Sequence, residues 1–363
     1  MTSSIETPDG APGLPKRKRT GARKVVFGVV SAVIVVGTFA VVLPRIADYR
    51  DVWAVVQTLT WDWGLALLAA VVLNLATFAP PWMVALPGLH FRQAVAMTQA
   101  STALSIVAPA GAAVGMAGSW GMLRSWGFRA GPVTRAVTLT GVWNQLANLV
   151  YPVVALFVLK VNGGETALLG TAAFIGVAVL GVVIAVLVLV LYSDGLAHEV
   201  GDVVARFASW ARARVRKGPV GWGGPSFARF RNEAVDLLAR RWHALTLATF
   251  AGSLTVFLIL VLSLRAVGVP ASQVTVVEAF AAWALVRILS SIPITPAGVG
   301  VVELGLTTAL VAFGGANAGV VAAVLVYRVL TVVPTLVLGG LAALTWRSHR
   351  PPTQGSRPAG DGA

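Results

Sequence analysis

Residues 105–118 read SIVAPAGAAVGMAG, and residues 291–305 read SIPITPAGVGVVELG. Each places a Pro-Ala-Gly triplet, Pro109-Ala110-Gly111 and Pro296-Ala297-Gly298, in the middle of apolar sequence. Proline removes a backbone donor and clashes with the preceding turn, and glycine best tolerates the bend that results. Hydrocarbon accepts such a break only where protein or a water-filled cavity covers the freed backbone groups. Two matching breaks in corresponding halves of an apolar chain point to a repeat-built transporter with its site at the breaks.

The rest of the composition agrees with a membrane setting. Of 363 residues, 57% are apolar and 12% charged, with a mean hydropathy of +0.81. Soluble domains carry about 25% charged residues. Cysteine is absent, which excludes disulfides, thiolate zinc sites and thiol catalysis. The net charge of +14 does not indicate nucleic acid, because the cations sit at the ends of apolar segments, as membrane orientation requires.

Spanning a bilayer takes roughly 20 apolar residues. Six segments qualify as full spans, at 25–43, 64–86, 136–159, 166–192, 244–264 and 318–346. The first is longer than a signal-peptide core and no small-x-small cleavage site follows it, so it reads as an uncleaved span. Two long segments, 93–123 and 274–313, carry the breaks. Residues 1–24, ending in KRKRTGARK, read as a disordered basic cytoplasmic tail. A first membrane half then runs over 25–192, a basic cytoplasmic loop over 193–243, a second half over 244–346 and a cytoplasmic tail over 347–363.

Charge sets the orientation. His90 and Arg92 precede the first broken segment, and Arg124, Arg129 and Arg135 follow it, so it enters from the cytoplasm and returns there as a re-entrant hairpin. The 193–243 loop holds nine Lys or Arg against five acids and is cytoplasmic. The span at 244–264 then delivers the second broken segment from the opposite side, which makes an inverted repeat. The competing topology turns each arm into a full crossing. Within the loop, Phe227–Trp242 alternates aromatic and leucine residues with arginines, as either an interfacial helix or a solvated segment would. The spacings Gly111/Gly115 and Gly315/Gly319 fit close helix packing.

Four ionisable residues lie inside apolar segments, all in the second half: Glu278, Arg287, Glu303 and Arg328. Each costs roughly 2.5–3.5 kcal/mol to bury at bilayer depth on insertion scales, so each needs a partner or a function. Glu278, one turn into its segment, can reach the interface, and Arg287 can snorkel. Arg328 is the deepest cation and Glu303 follows the second break, so the two are expected to pair or to face a polar cavity. In comparable places the first half offers Asn74, Gln99, Asn144, Gln145 and Asn148. No HExxH, P-loop or nucleophile elbow occurs. No catalytic residue, metal or cofactor is therefore assigned.

The stretch TPAGVGVVE (Thr295–Glu303), followed by VYRVLTVVPTLVLGG (Val326–Gly340), resembles the signature of the lysylphosphatidylglycerol synthase transmembrane, or flippase-like, family. Pro296, Gly298, Gly300, Glu303, Tyr327, Arg328, Pro334 and Gly339 match its pattern, while Ala297 replaces a usual glycine. The first half lacks the acid that often follows the family's first break. The resemblance spans about 25–346 and implies a bacterial cytoplasmic-membrane protein acting on lipids, without an attached synthase. The expected fold is all-α and polytopic, with both termini cytoplasmic. The expected function is moving an anionic or zwitterionic lipid, or a lipid-linked glycan, between leaflets. The expected contacts are Arg328, Glu303, Tyr327, Arg287 and Asn144, with Pro109, Gly111, Pro296, Gly298 and Gly300 shaping the breaks. A lipid-modifying transferase with Glu303 as general base, and a non-transporting subunit of an envelope-biosynthesis complex, are the alternatives.

Overall fold

The computed structural model describes residues 57, 59–108, 111–162, 167–193, 195, 199, 202–203, 205–206, 209–210, 224–291, 298 and 300–346. The expected first span at 25–43, both tails, Pro109 and Pro296 lie outside these residues. Within them the regular structure is helical. The principal helices are α1 (Trp61–Thr77), α2 (Pro80–Ala85), α3 (Phe91–Val107), α4 (Gly111–Ser125), α5 (Ala130–Val161), α6 (Ala167–Tyr192), α7 (Gly224–Ala266), α8 (Val276–Ser291), α9 (Val301–Ala312) and α10 (Asn317–Thr345).

Four helical stretches are long and apolar enough to cross a membrane: Trp61–Ala85, Ala130–Val161, Arg229–Ala266 and Asn317–Thr345. The first joins α1 and α2 through a bend at Phe78 and Ala79. There Pro80 and Pro81 open the next helix, where their missing donors cost least. α6 is apolar over Phe174–Leu189, with Phe174, Val182 and Leu189 exposed.

The two broken segments are helical hairpins. α3 and α4 pack side by side, as do α8 and α9. Their arms have 17, 15, 16 and 12 residues, or about 18–25 Å at 1.5 Å per residue, each less than a hydrocarbon core of roughly 30 Å. In the first hairpin, Gly111 and Gly115 let α4 lie directly on α3. A Cβ on Gly115 would fall 2.7 Å from the Ser101 carbonyl oxygen and overlap the Ser105 hydroxyl.

The hairpins open toward opposite ends of the bundle. At one end, the Trp126 indole beyond α4 donates to the Trp346 carbonyl beyond α10 at 2.9 Å. Arg135 near the start of α5 pairs there with Glu233 of α7 at 2.7 Å. At the other end, the turn before α8 meets the start of α10, where the Ala316 amide donates to Gln273 at 3.3 Å. The contacts also cross over: α3 packs on α10, the closing helix of the other half, and α8 packs on α5.

The reading of Phe227–Trp242 as a separate interfacial helix or solvated loop is corrected. This stretch is the leading part of α7, which runs unbroken for 43 residues. Its apolar positions continue the stripe of the span, with Ala234 and Leu238 buried in one cluster with Leu139 and Leu245. Packing on α5 uses the residues that would otherwise enter lipid.

The α3–α10 contact depends on one missing methyl. A Cβ on Gly339 would stand 2.5 Å from the Gln99 carbonyl oxygen and overlap the Ala103 side chain. Gly→Ala inside a helix normally stabilises by about 1 kcal/mol. Here Gly339→Ala is expected to destabilise instead, by about 1–3 kcal/mol through overpacking. A thermal melt in detergent checks this, and an unchanged or raised midpoint contradicts the close packing.

Candidate functional site

The second hairpin turns at residues that need glycine. Gly298 and Gly300 have φ of 66° and 83°, in the left-handed region that side chains resist. Gly300 caps α9, and Glu303 sits at the third helical position. One Glu303 oxygen accepts the Gly300 amide at 2.7 Å, and the other accepts Arg328 Nε at 2.6 Å. The carboxylate thus joins the positive end of α9 to the middle of α10, with the two side chains only 14% and 9% exposed. Glu278 holds the equivalent position in α8. It accepts the Thr275 amide at 2.8 Å while its own amide donates to the Thr275 hydroxyl at 3.2 Å, a reciprocal cap that accounts for this acid locally.

The open space lies elsewhere. A cavity of about 1160 Å³ is lined by residues from each of the helices α1 to α8. Gly111 and Gly298 both line it, so both hairpin tips converge on it. Asn144 and Gln145 project into it as exposed residues at the midpoint of the 32-residue α5. Exposed amides at that depth are costly against lipid and are satisfied by a hydrated cavity. α3 contributes Thr98, Ser101, Thr102 and Ser105, one face at helical spacing. Among the described lining residues, Arg287 carries the single charge.

Arg287 does not snorkel. Its Nε and Nη2 donate to Asn148 Oδ1 at 3.0 and 2.6 Å. Its guanidinium lies 4.8 Å from the Trp283 ring centre and 5.8 Å from that of Tyr151. Those rings belong to an aromatic cluster with Phe250, Phe257 and Phe280, and the Tyr151 hydroxyl donates to the Phe250 carbonyl at 3.1 Å. The cluster and α5 hold the arginine inward, which the sequence of α8 alone does not show.

The structure therefore brings together Arg287, Asn144, Gly111 and Gly298 and sets Arg328, Glu303, Tyr327 and Gly300 apart. Arg328 is buried against Glu303, Tyr327 is buried in the core, and neither they nor Glu303 nor Gly300 line the cavity. The physical reason is that α9 requires the Glu303 carboxylate at its N-terminus, and Arg328 follows it there. Asn148, Gln145, Thr249 and Ser253 join the site instead. The spacing of Gly141, Asn144, Gln145 and Asn148, a polar stripe along an otherwise apolar helix, is the signal that could have found it. Among the described residues no group of three acidic or histidine side chains could hold a metal.

Residues 28–339 match the family described as the lysylphosphatidylglycerol synthase TM region. The chain belongs to this family. No curated protein matches the chain closely enough to lend it a function. Family membership and the apolar helices together make this a membrane protein of a family tied to lipids, as the Pro-Ala-Gly and Tyr-Arg stretches imply.

Proposed function

We propose that the protein translocates a lipid between leaflets, with the headgroup passing through the cavity beside α5 and Arg287 contacting its phosphate. The observation that carries this reading is a large cavity at mid-helix depth, mostly apolar in its lining but set with polar side chains, both hairpin tips and one arginine. Half-helix ends meeting at a cavity are the arrangement that lets backbone groups serve a substrate inside a bilayer. The two hairpins opening to opposite ends, and the crossed contacts of α3 with α10 and α8 with α5, support an inverted repeat with re-entrant hairpins. The setting is the bacterial cytoplasmic membrane with both termini cytoplasmic. The transferase alternative is weakened because its general base, Glu303, has both oxygens engaged away from the cavity.

Two measurements test the reading. Because the chain lacks cysteine, single substitutions report topology directly. Arg92→Cys and Ser125→Cys are expected to label from the same side, the cytoplasm, and Ser272→Cys from the other. Opposite-side labelling at 92 and 125 excludes the first re-entrant hairpin. In vesicles with an acyl-labelled phospholipid in one leaflet, the full chain is expected to speed its appearance in the other. No acceleration over empty vesicles with any phospholipid leaves the partner-subunit reading ahead.

A further inference from the structure

Asn148 holds Arg287 with an amide, where Glu303 holds Arg328 with a carboxylate. The Asn148 oxygen accepts Arg287 Nε and Nη2 at 3.0 and 2.6 Å, and the Glu303 oxygen accepts Arg328 Nε at 2.6 Å. A carboxylate would bond a guanidinium more strongly, because hydrogen bonds gain when both groups are ionised. An amide of the same shape orients the guanidinium without cancelling its charge. The pair with the carboxylate lies away from the cavity, and the pair with the amide lines it.

The arginine also dictates what lies beyond Asn148. A guanidinium has no acceptor, so the Asn148 atom facing it is the amide oxygen, and the amide nitrogen lies on the other side. That nitrogen donates to Gln145 Oε1 at 3.1 Å, one turn earlier on α5. With its oxygen engaged there, Gln145 turns its own nitrogen and both N–H groups away from Asn148. Gln145 is exposed and lines the cavity. One direction of donation thus runs from Arg287 through Asn148 to Gln145.

We propose that Asn148 is a positioning residue for headgroup transfer: it aims the Arg287 guanidinium and fixes the Gln145 amide so that both present donors to the phosphate. The proposal rests on the transport reading above, which places the phosphate at Arg287. Phosphate oxygens are acceptors only, so a guanidinium and an amide nitrogen suit them together.

Asn148→Asp separates this role from simple anchoring. It keeps the size of the side chain and tightens the grip on Arg287, so the melting temperature in detergent is expected to hold or rise. The carboxylate cancels the arginine's charge and has no donor, so Gln145 turns its nitrogen back toward residue 148 and its oxygen to the cavity. Transfer of acyl-labelled phosphatidylglycerol in vesicles, per folded molecule, is expected to fall about tenfold, the factor carried by one hydrogen bond to a charged group. Gln145→Met removes the two N–H donors at an exposed position and is expected to slow transfer several-fold at an unchanged melting temperature. Parental transfer by a folded Asn148→Asp variant, or by Gln145→Met, overturns the proposal, since a merely structural anchor tolerates both changes. If Asn148→Asp does not fold, the Gln145→Met rate decides alone. Should the parent chain move no lipid, the transport reading fails separately. Native mass spectrometry of the detergent-solubilised chains with phosphatidylglycerol then decides: weaker retention by both variants upholds the positioning of a phosphate, and equal retention overturns it.

Discussion

Replacing Arg287 by alanine is expected to slow transfer of an anionic lipid by one to two orders of magnitude. A hydrogen bond to a charged group contributes about 1.5–3 kcal/mol, and a factor of ten in rate corresponds to about 1.4 kcal/mol. The fold should lose stability as well. Arg287 is partly buried, with Asn148 and the faces of Trp283 and Tyr151 among its anchors, and a cation–π contact contributes about 0.5–1 kcal/mol when exposed and about 2 when desolvated. Arg287→Lys should recover part of the rate, since it keeps the charge but cannot bond Asn148 through two nitrogens while facing a phosphate. Transfer kinetics in vesicles, normalised to folded protein, measure the effect. A rate within twofold of the parent protein removes Arg287 from the headgroup path.

The second large effect concerns stability. Removing one member of a buried ion pair leaves the other desolvated and uncompensated, at about 3–5 kcal/mol. Glu303→Gln and Arg328→Met should each lower stability by that order, because the pair is largely shielded at 2.6 Å. Combining them should cost clearly less than the sum, since neither buried charge then remains. Glu303→Gln should also loosen the start of α9, where the carboxylate accepts the Gly300 amide. Equilibrium unfolding of the three variants in detergent measures the coupling. Transfer rate per folded molecule should change little in each, because neither side chain lines the cavity. A specific loss of rate without loss of stability would place the pair in the transport cycle.

How far the sequence reaches depends on what each residue costs to bury. Glu303 and Arg328 stood out because a charge at depth must be answered, and the structure makes that pair. The hairpins were legible for a similar reason, since Pro-Ala-Gly inside apolar sequence breaks a helix whatever surrounds it. Arg287 was misplaced, because whether a long cation reaches the interface depends on its neighbours. Its partner Asn148 lies 139 residues away on another helix. The cavity was nearly invisible from the sequence. Its polar residues are mostly serine and threonine, several of which satisfy themselves on the preceding turn and disturb hydropathy too little to mark a site. The continuity of α7 was hidden as well, because its charged leading part and its apolar part read as a loop and a span.

That continuity has a mechanical side. α7 is about 65 Å long at 1.5 Å per residue, roughly twice the hydrocarbon thickness. It bears on α1 at one tight place. Gly252 lies so close to the Thr77 carbonyl oxygen that an added Cβ would be 3.0 Å away, and Thr255 is tied to Asn74 and Thr77 at 2.9 and 3.0 Å. Thr249 and Ser253, on the cavity wall, flank that bearing. From there to Glu233 is about 30 Å of unbroken helix, and in the other direction to Leu264 about 16 Å. The helix also packs on α2, α5, α8 and α10, so the Arg135–Glu233 pair and part of the cavity wall belong to one braced strut rather than to separate elements.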